Sequence, residues 1–271
     1  MDKLVLVLAT FALAAGLYVS NIQIGVTLGQ ELGLTAKYVD GQLPITSPDS
    51  TIWGEVEAKE VELGPQLTAA PWIHPKPSIR SLRVRVIHNG TWVSFLLEWN
   101  DATKDDKMLT DTFRDSAAVM LALQPGAGQC MGTPTAEVVI AHWKADWQRD
   151  VNEVFTDISE LYPNFWSDWY PFAVGDPPYT LPNLMNLSTA KEYFAGWYVG
   201  NPLSTPLKLT PVETLVAHGW GTLTTYAFQS FIGRGIHDGA KWSVVISRPI
   251  SPGQADPPWG DGGPVEVVSA V

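Results

Sequence analysis

The sequence predicts an all-β fold: an antiparallel β-sandwich carrying a long, partly helical insertion rich in aromatic residues and proline. Two observations predict it. The first is composition. Twelve Trp, 21 Pro and 23 Gly stand beside only 17% charged residues, which suits short strands and tight turns better than solvated helices. The second is pattern. Short stretches of period-two alternation recur, separated by turn signals, as in sandwiches and barrels.

The strongest element is a hairpin. Residues 80–87 alternate polar and apolar side chains, Asn89-Gly90 follows, and residues 91–99 resume the strand pattern. Asn-Gly between two such runs is the strongest short-range hairpin signal, because both residues accept positive φ. Residues 116–123 (SAAVMLAL) and 137–143 (EVVIAHW) read as buried strands. Residues 222–231 and 241–247 read as a late pair, with Asp238-Gly239 as the turn between them. The run PVEVVSAV at 264–271 reads as a further strand. The chain stops within that run, so a truncated C-terminus is expected.

Between about 145 and 211 the alternation breaks. Eight prolines fall there, with Tyr162, Phe165, Trp166, Trp169, Tyr170, Trp197 and Tyr198 among the aromatics. Short helices are expected at 150–161 and 189–198. A long irregular excursion in a compact domain is uncommon and usually functional. Its aromatics either pin it to the sheet or wall a cofactor or partner surface.

At the N-terminus, Lys3 precedes the uncharged run LVLVLATFALAAGLYV, and no acidic or basic residue appears until Glu31. A positive start followed by such a run is expected of a secretory signal peptide. Extended to Val26 it approaches the ~20 residues of a membrane anchor. Residues 1–26 are therefore assigned to a signal or anchor, 27–50 to a linker and 51–271 to the sandwich. Either assignment expects an exported, periplasmic or otherwise extracytoplasmic chain.

Charge and cysteine count exclude several functions. Seventeen Lys and Arg against 28 Asp and Glu give a net charge of −11, a poor fit to a nucleic-acid partner. One cysteine, Cys130, excludes an internal disulfide, a multi-cysteine metal cluster from this chain alone and a covalently attached c-type haem. No G-x-S-x-G, Walker, dinucleotide or H-E-x-x-H motif is present. The five histidines are scattered singly. The carboxylate pairs Asp105-Asp106 and Asp111 with Asp115 read as solvated loop charges in preference to a glycosidase pair.

One loop stands apart: QPGAGQCMGTP at 124–134, glycine-rich and ending on Met131-Gly132. A methionine there reads either as core filler or as a thioether held out as an axial haem ligand.

The chain resembles the haem-b-binding gamma subunits of the ethylbenzene dehydrogenase type. These accompany molybdenum enzymes such as ethylbenzene dehydrogenase, chlorate and selenate reductases, dimethyl sulfide dehydrogenase and nitrite oxidoreductase relatives. The resemblance rests on blocks in order: VELGPQLTAAP (61–71), VIHNGTWVSFLLEWND (86–101), FRDSAAVMLALQP (113–125), the CMG loop, VVIAHWKADWQRDV (138–151), GNPLS (200–204), PVETLVAHGWGTLT (211–224) and KWSVVISRP (241–249). It implies a β-sandwich that binds one non-covalent haem b and relays electrons without turning over substrate. The iron ligands it implies are a methionine, which maps onto Met131, and a lysine expected after the VEVVSAV strand.

Within the chain the candidates for the second ligand are His218, an imidazole beside glycines in HGWGT, and the alternative Lys241. His88 and His142 fall on strand positions of the family pattern. The implied partners are an iron–sulfur beta subunit, a molybdopterin alpha subunit carrying the molybdenum cofactor, and a cytochrome c or quinone-linked redox partner. Two other readings remain beside this one. They are a secreted Trp-rich carbohydrate-binding sandwich and a haem-free subunit anchoring such a complex to a membrane.

Overall fold

A computed structural model describes residues 21–27, 31–64, 77–122, 127, 131–153, 162, 164, 195–205, 208–250 and 266–270. Twelve strands occur among them. They are β1 (Asn21–Thr27), β2 (Glu31–Tyr38), β3 (Lys59–Glu62), β4 (Ser81–His88), β5 (Trp92–Asn100), β6 (Ser116–Ala122), β7 (Val138–Lys144), β8 (Val212–Ala217), β9 (Thr224–Thr225), β10 (Ile232–His237), β11 (Lys241–Pro249) and β12 (Glu266–Ala270). Two α-helices, α1 (Ala145–Glu153) and α2 (Ala195–Tyr198), stand at the two ends of the expected insertion.

The architecture is the all-β sandwich that the alternation predicts. One layer runs β10-β11-β5-β4, with β3 paired on β4; the other runs β12-β6-β7-β8-β9. The hairpin β1-β2 joins them. β1 pairs with β12, and β2 meets β4 over two residues only, so the ladder is continuous while the sheet doubles over. Both layers share one core. Val84, Val86, Phe95, Leu97, Val244 and Ile246 face Val119, Leu121, Val139, Ala141, Val212 and Val216 across it.

Tryptophans close this core at one end. Trp143 of β7 packs edge-on against Trp242 of β11 at 4.9 Å and against Trp99 of β5 at 6.1 Å between ring centroids. Such pairs contribute about 0.5–1.5 kcal/mol each beyond the area they bury. Their polar tips are satisfied. Trp242 Nε1 donates to Asp115 Oδ2 at 2.9 Å, and Trp143 Nε1 to Gln148 Oε1 at 3.3 Å. The same Gln148 oxygen accepts the Gly235 backbone N–H at 2.7 Å, which occupies a donor on the edge strand β10. Asp115, half of an expected carboxylate pair, is thus a structural acceptor; it also takes the Asp105 N–H at 2.8 Å.

The outer face of the β4-β5-β11 layer is covered by residues 39–58. Trp53, in a short 3-10 helix, and Leu43 pack on Ile87, Leu96 and Val245. Residues 27–50, expected to be a linker, therefore contain β2 and part of this cover. Residues 21–26, expected at the end of a signal or anchor, belong to β1, and residues 1–20 lie outside the described residues.

The hairpin, β6, β7, β11 and β12 form where expected. The late pair differs. β11 pairs with Ile232–His237, and 222–231 contributes only the two-residue β9. Gly233 and Gly235 dilute the alternation of β10, which hides it in the sequence. A side chain does not fit there, because a Cβ on Gly235 would overlap the Trp143 ring. Of the expected helices, 150–161 begins earlier, at Ala145, and is described to Glu153; 189–198 is described over Ala195–Tyr198.

The Gly235–Trp143 contact gives a stability test. Gly235→Ala is expected to destabilise the chain by about 1–3 kcal/mol through overpacking. The check is the urea midpoint at unchanged m-value.

Candidate functional site

Strand alternation gives β6, β7 and β8 two faces. Val119, Leu121, Val139, Ala141, Trp143, Val212 and Val216 point into the core. The alternate positions point outward and line up in rows fixed by the register. Ala122, Val138 and Ala217 form the first row; Met120, Ile140 and Leu215 the second; Ala118, His142 and Glu213 the third; Ser116 and Lys144 the fourth. β12 extends this sheet, with Ala270 opposite Ala118, so it runs towards the third row.

Met131 sits at the first-row end. Among the described residues it is the only non-glycine with positive φ, at 62°. An unbranched side chain in this region carries backbone strain, and such strain concentrates at functional sites. Three contacts hold it there. The Gly219 N–H donates to the Met131 carbonyl at 2.7 Å. Thr133 and Ala136 close a tight turn just after it. Gly132, at φ 72°, lies so close to the Ala136 and Ala217 carbonyls that any Cβ would collide. The half-buried Met131 side chain packs on the Met120, Ala122, Ala136, Val138 and Ala217 patch, with Ile140 beside it.

His218 stands on the neighbouring loop, one residue before the Gly219 that bonds Met131. The structure thus brings the loops of these two candidates together. The His218 side chain is exposed, and its backbone N–H donates to Thr222 Oγ1 at 2.9 Å. Lys241 lies at the other end of the sandwich. It precedes the core residue Trp242, and its Nζ donates to Glu98 Oε1 at 3.1 Å, beside the Arg85–Glu98 ion pair. Its position follows from the β5–β11 register, which the sequence does not display. His88 is buried against the Tyr38 ring at 5.5 Å, and burial lowers its pKa.

Sequence reasoning missed the polar half of the outer face. Lys144 and Glu213 form an ion pair with only 6% and 4% of their side chains exposed. Thr225 Oγ1 donates to Glu213 Oε1 at 2.6 Å. The Lys144 ammonium lies 4.2 Å from the centroid of the Trp147 ring, and the Lys208 ammonium 4.7 Å from it. Burial lowers the pKa of both lysines; for Lys144 the Glu213 carboxylate opposes that shift. Arg114 and Asp146 pair at 3.0 Å nearby. His142 lies among these charges. Burial, with the Lys144 and Arg114 charges adding to it, lowers its pKa from 6.5 to about 4, so the imidazole is neutral at pH 7. The available signal was a single Glu inside the apolar run VETLVA, which a buried strand tolerates only with a partner.

The outer face is thus apolar at the Met131 end and charged at the Lys144 end. Ala122, Ala136 and Ala217 line its Met131 end, and Met131 supplies a soft sulfur donor packed against them. That donor set suits haem iron, which accepts thioether ligation. Among the described residues no three His, Cys, Asp or Glu side chains group as a metal site, and no helix is long and apolar enough to cross a membrane. No protein-family model matches the chain, and none of the curated proteins does.

Two measurements probe this face. Lys144→Met leaves Glu213 buried and unpaired, and is expected to cost about 3–5 kcal/mol; Lys144→Met with Glu213→Leu is expected to recover most of that loss. Chemical denaturation of the three proteins checks it. The second concerns acid. A histidine with a depressed folded pKa contributes stability that is complete above 6.5 and is lost as pH falls towards about 4. His142→Gln is expected to lose less stability than wild type across that window, by on the order of 2–3 kcal/mol. Unfolding free energies measured across that pH series decide it.

Proposed function

We propose that this chain is a haem b electron-transfer subunit of an extracytoplasmic molybdenum oxidoreductase complex. The observation that carries the reading is the strained, backbone-clamped Met131 over a small-residue face. The block-wise resemblance supports it independently. Met131 would hold the iron, and the patch of Ala122, Ala136 and Ala217 would take apolar contact with the ring. A haem ligated on both sides supplies one-electron transfer and no open site for substrate. Substrate chemistry then belongs to a molybdopterin alpha subunit, with electrons relayed through an iron–sulfur beta subunit to or from a cytochrome c or quinone-linked partner.

The chain's own residues have defined tasks in this reading. Gly219 and Gly132 keep Met131 in place, so little reorganisation accompanies a change of charge at the iron. The apolar end of the outer face keeps water from the metal. The net charge of −11 favours encounter with a basic redox partner and makes that encounter salt-sensitive.

The test is a dithionite-reduced minus oxidised spectrum with a pyridine haemochrome assay on the full chain grown with ample haem. A b-type spectrum is expected. Met131→Ala is expected to lose haem or to lower its reduction potential, since thioether ligation favours the reduced iron. A folded, colourless wild type would overturn the reading and favour the haem-free subunit or the glycan-binding module.

A further inference from the structure

We propose that His88 is an acid-sensitive latch on the seam between β2 and β4, released when its buried imidazole takes a proton. The latch is independent of any haem and lies at the joint where the sheet doubles over.

The seam is short. β2 and β4 pair only at Lys37–Ile87 and Tyr38–His88, and the Val39 N–H adds one bond to the His88 carbonyl at 2.9 Å. This pairing joins the β4-β5-β11 layer to the β1-β2 hairpin, and through β12 to β6. β1 and β2 pair over seven residues and β4 and β5 over six, so the ladder parts most easily at the seam.

His88 ends β4 on its core face, two residues beyond Val86 and opposite Val93. It is 3% exposed. Both ring nitrogens are buried, and among the described residues neither has a hydrogen-bond partner. The Tyr38 ring stands edge-on to the imidazole at 5.5 Å and is itself at the surface, so it separates His88 from water. A neutral imidazole tolerates such a site. An imidazolium carries two N–H donors and a charge, and burying them unpaired is costly.

The neighbours offer a proton no compensation. Tyr38 faces the ring from β2. Across Val93 in the same row stands Arg248 of β11, a cation that has no lone pair to share. The core-facing residues of the other layer, among them Leu121, Val139 and Val216, are apolar. Lys37 is turned outward to Glu55, and Asp40 is exposed. Burial lowers the His88 pKa, and no carboxylate acts against it.

The ring can therefore be protonated only by reaching water past Tyr38. Tyr38 and His88 are themselves a seam pair, so that exit parts β2 from β4. It also uncovers Leu34 and Ala36, the core residues of β2. The sign follows from linkage: the contribution of neutral His88 to the seam is complete above pH 6.5 and is lost as pH falls below it.

The experiment is amide hydrogen exchange on the full chain from pH 7 to about 5, corrected for the intrinsic exchange rate. Peptides over residues 34–39 report the seam, and peptides from β6 and β7 serve as controls. In wild type, seam protection is expected to fall by about tenfold one pH unit below 6.5, with smaller losses in the controls. His88→Phe keeps a ring against Tyr38 without a titrating group and should hold its protection. His88→Gln, also non-titrating, serves if the phenylalanine variant folds poorly. In wild type, proton resonance of the His88 ring should show titration only together with seam opening. Flat seam protection in wild type, an equal fall in the non-titrating variants, an equal fall in β6 and β7, or a His88 ring that titrates at 6.5 in the closed seam would each overturn the latch.

Discussion

The insertion of Trp143 between Trp242 and Trp99 is the constraint on which the rest of this molecule depends. It fixes the inner face of β7, and period-two alternation then sends Ile140, His142 and Lys144 to the outer face. A one-residue slip would bury His142 and Lys144 in an apolar core and expose Trp143. The cost of that exchange, several kcal/mol for the charge alone, makes the register unambiguous. The contact also explains two residues that look unremarkable in the chain. Gly235 must lack a side chain to admit the indole, and Gln148 must stand where one oxygen serves both the indole and the edge strand.

The outer face divides by polarity, and the division has a physical logic. At the Lys144 end every buried charge has an opposite charge or an aromatic face beside it. At the Met131 end the described residues bring no charge to satisfy, only a sulfur and a floor of apolar side chains. A buried ion pair is weak evidence of stabilisation, since well-packed apolar residues do as well. Its value here is positional. Lys144 and Glu213 hold one another, and Thr225 holds Glu213, so β7, β8 and β9 are tied at one end while the other end stays free of competing hydrogen bonds. In the proposed reading that free end receives the haem and Met131 is its fixed donor.

Much of the fold was legible in the sequence because the physics is local. Asn89-Gly90 announces its hairpin because Gly90 takes the positive φ of the turn, 86°, and the Asn89 side-chain oxygen accepts the Thr91 and Trp92 N–H groups, while the runs at β6, β7 and β11 announce themselves by composition. β10 was not legible, because two glycines remove the side chains that would show alternation: Gly235 makes way for a tryptophan about ninety residues away in sequence, and Gly233 for the Val245 carbonyl and the Val212 side chain. The start of β2 was hidden for a different reason. Its partners, β1 and β4, give no local signal of pairing.

For the candidate site, the sequence by itself determined the Met131 loop and its flanking glycines, because these are properties of neighbouring residues. Only the tertiary structure decided the rest. It set the left-handed backbone of Met131, clamped by a glycine on another loop. It also put His218 beside that loop and Lys241 far from it, and placed His142 on the same face as the methionine. Each of those depends on which strand lies next to which, and in what register. Such pairings are selected by the packing of the whole core, so no short stretch of the chain encodes them.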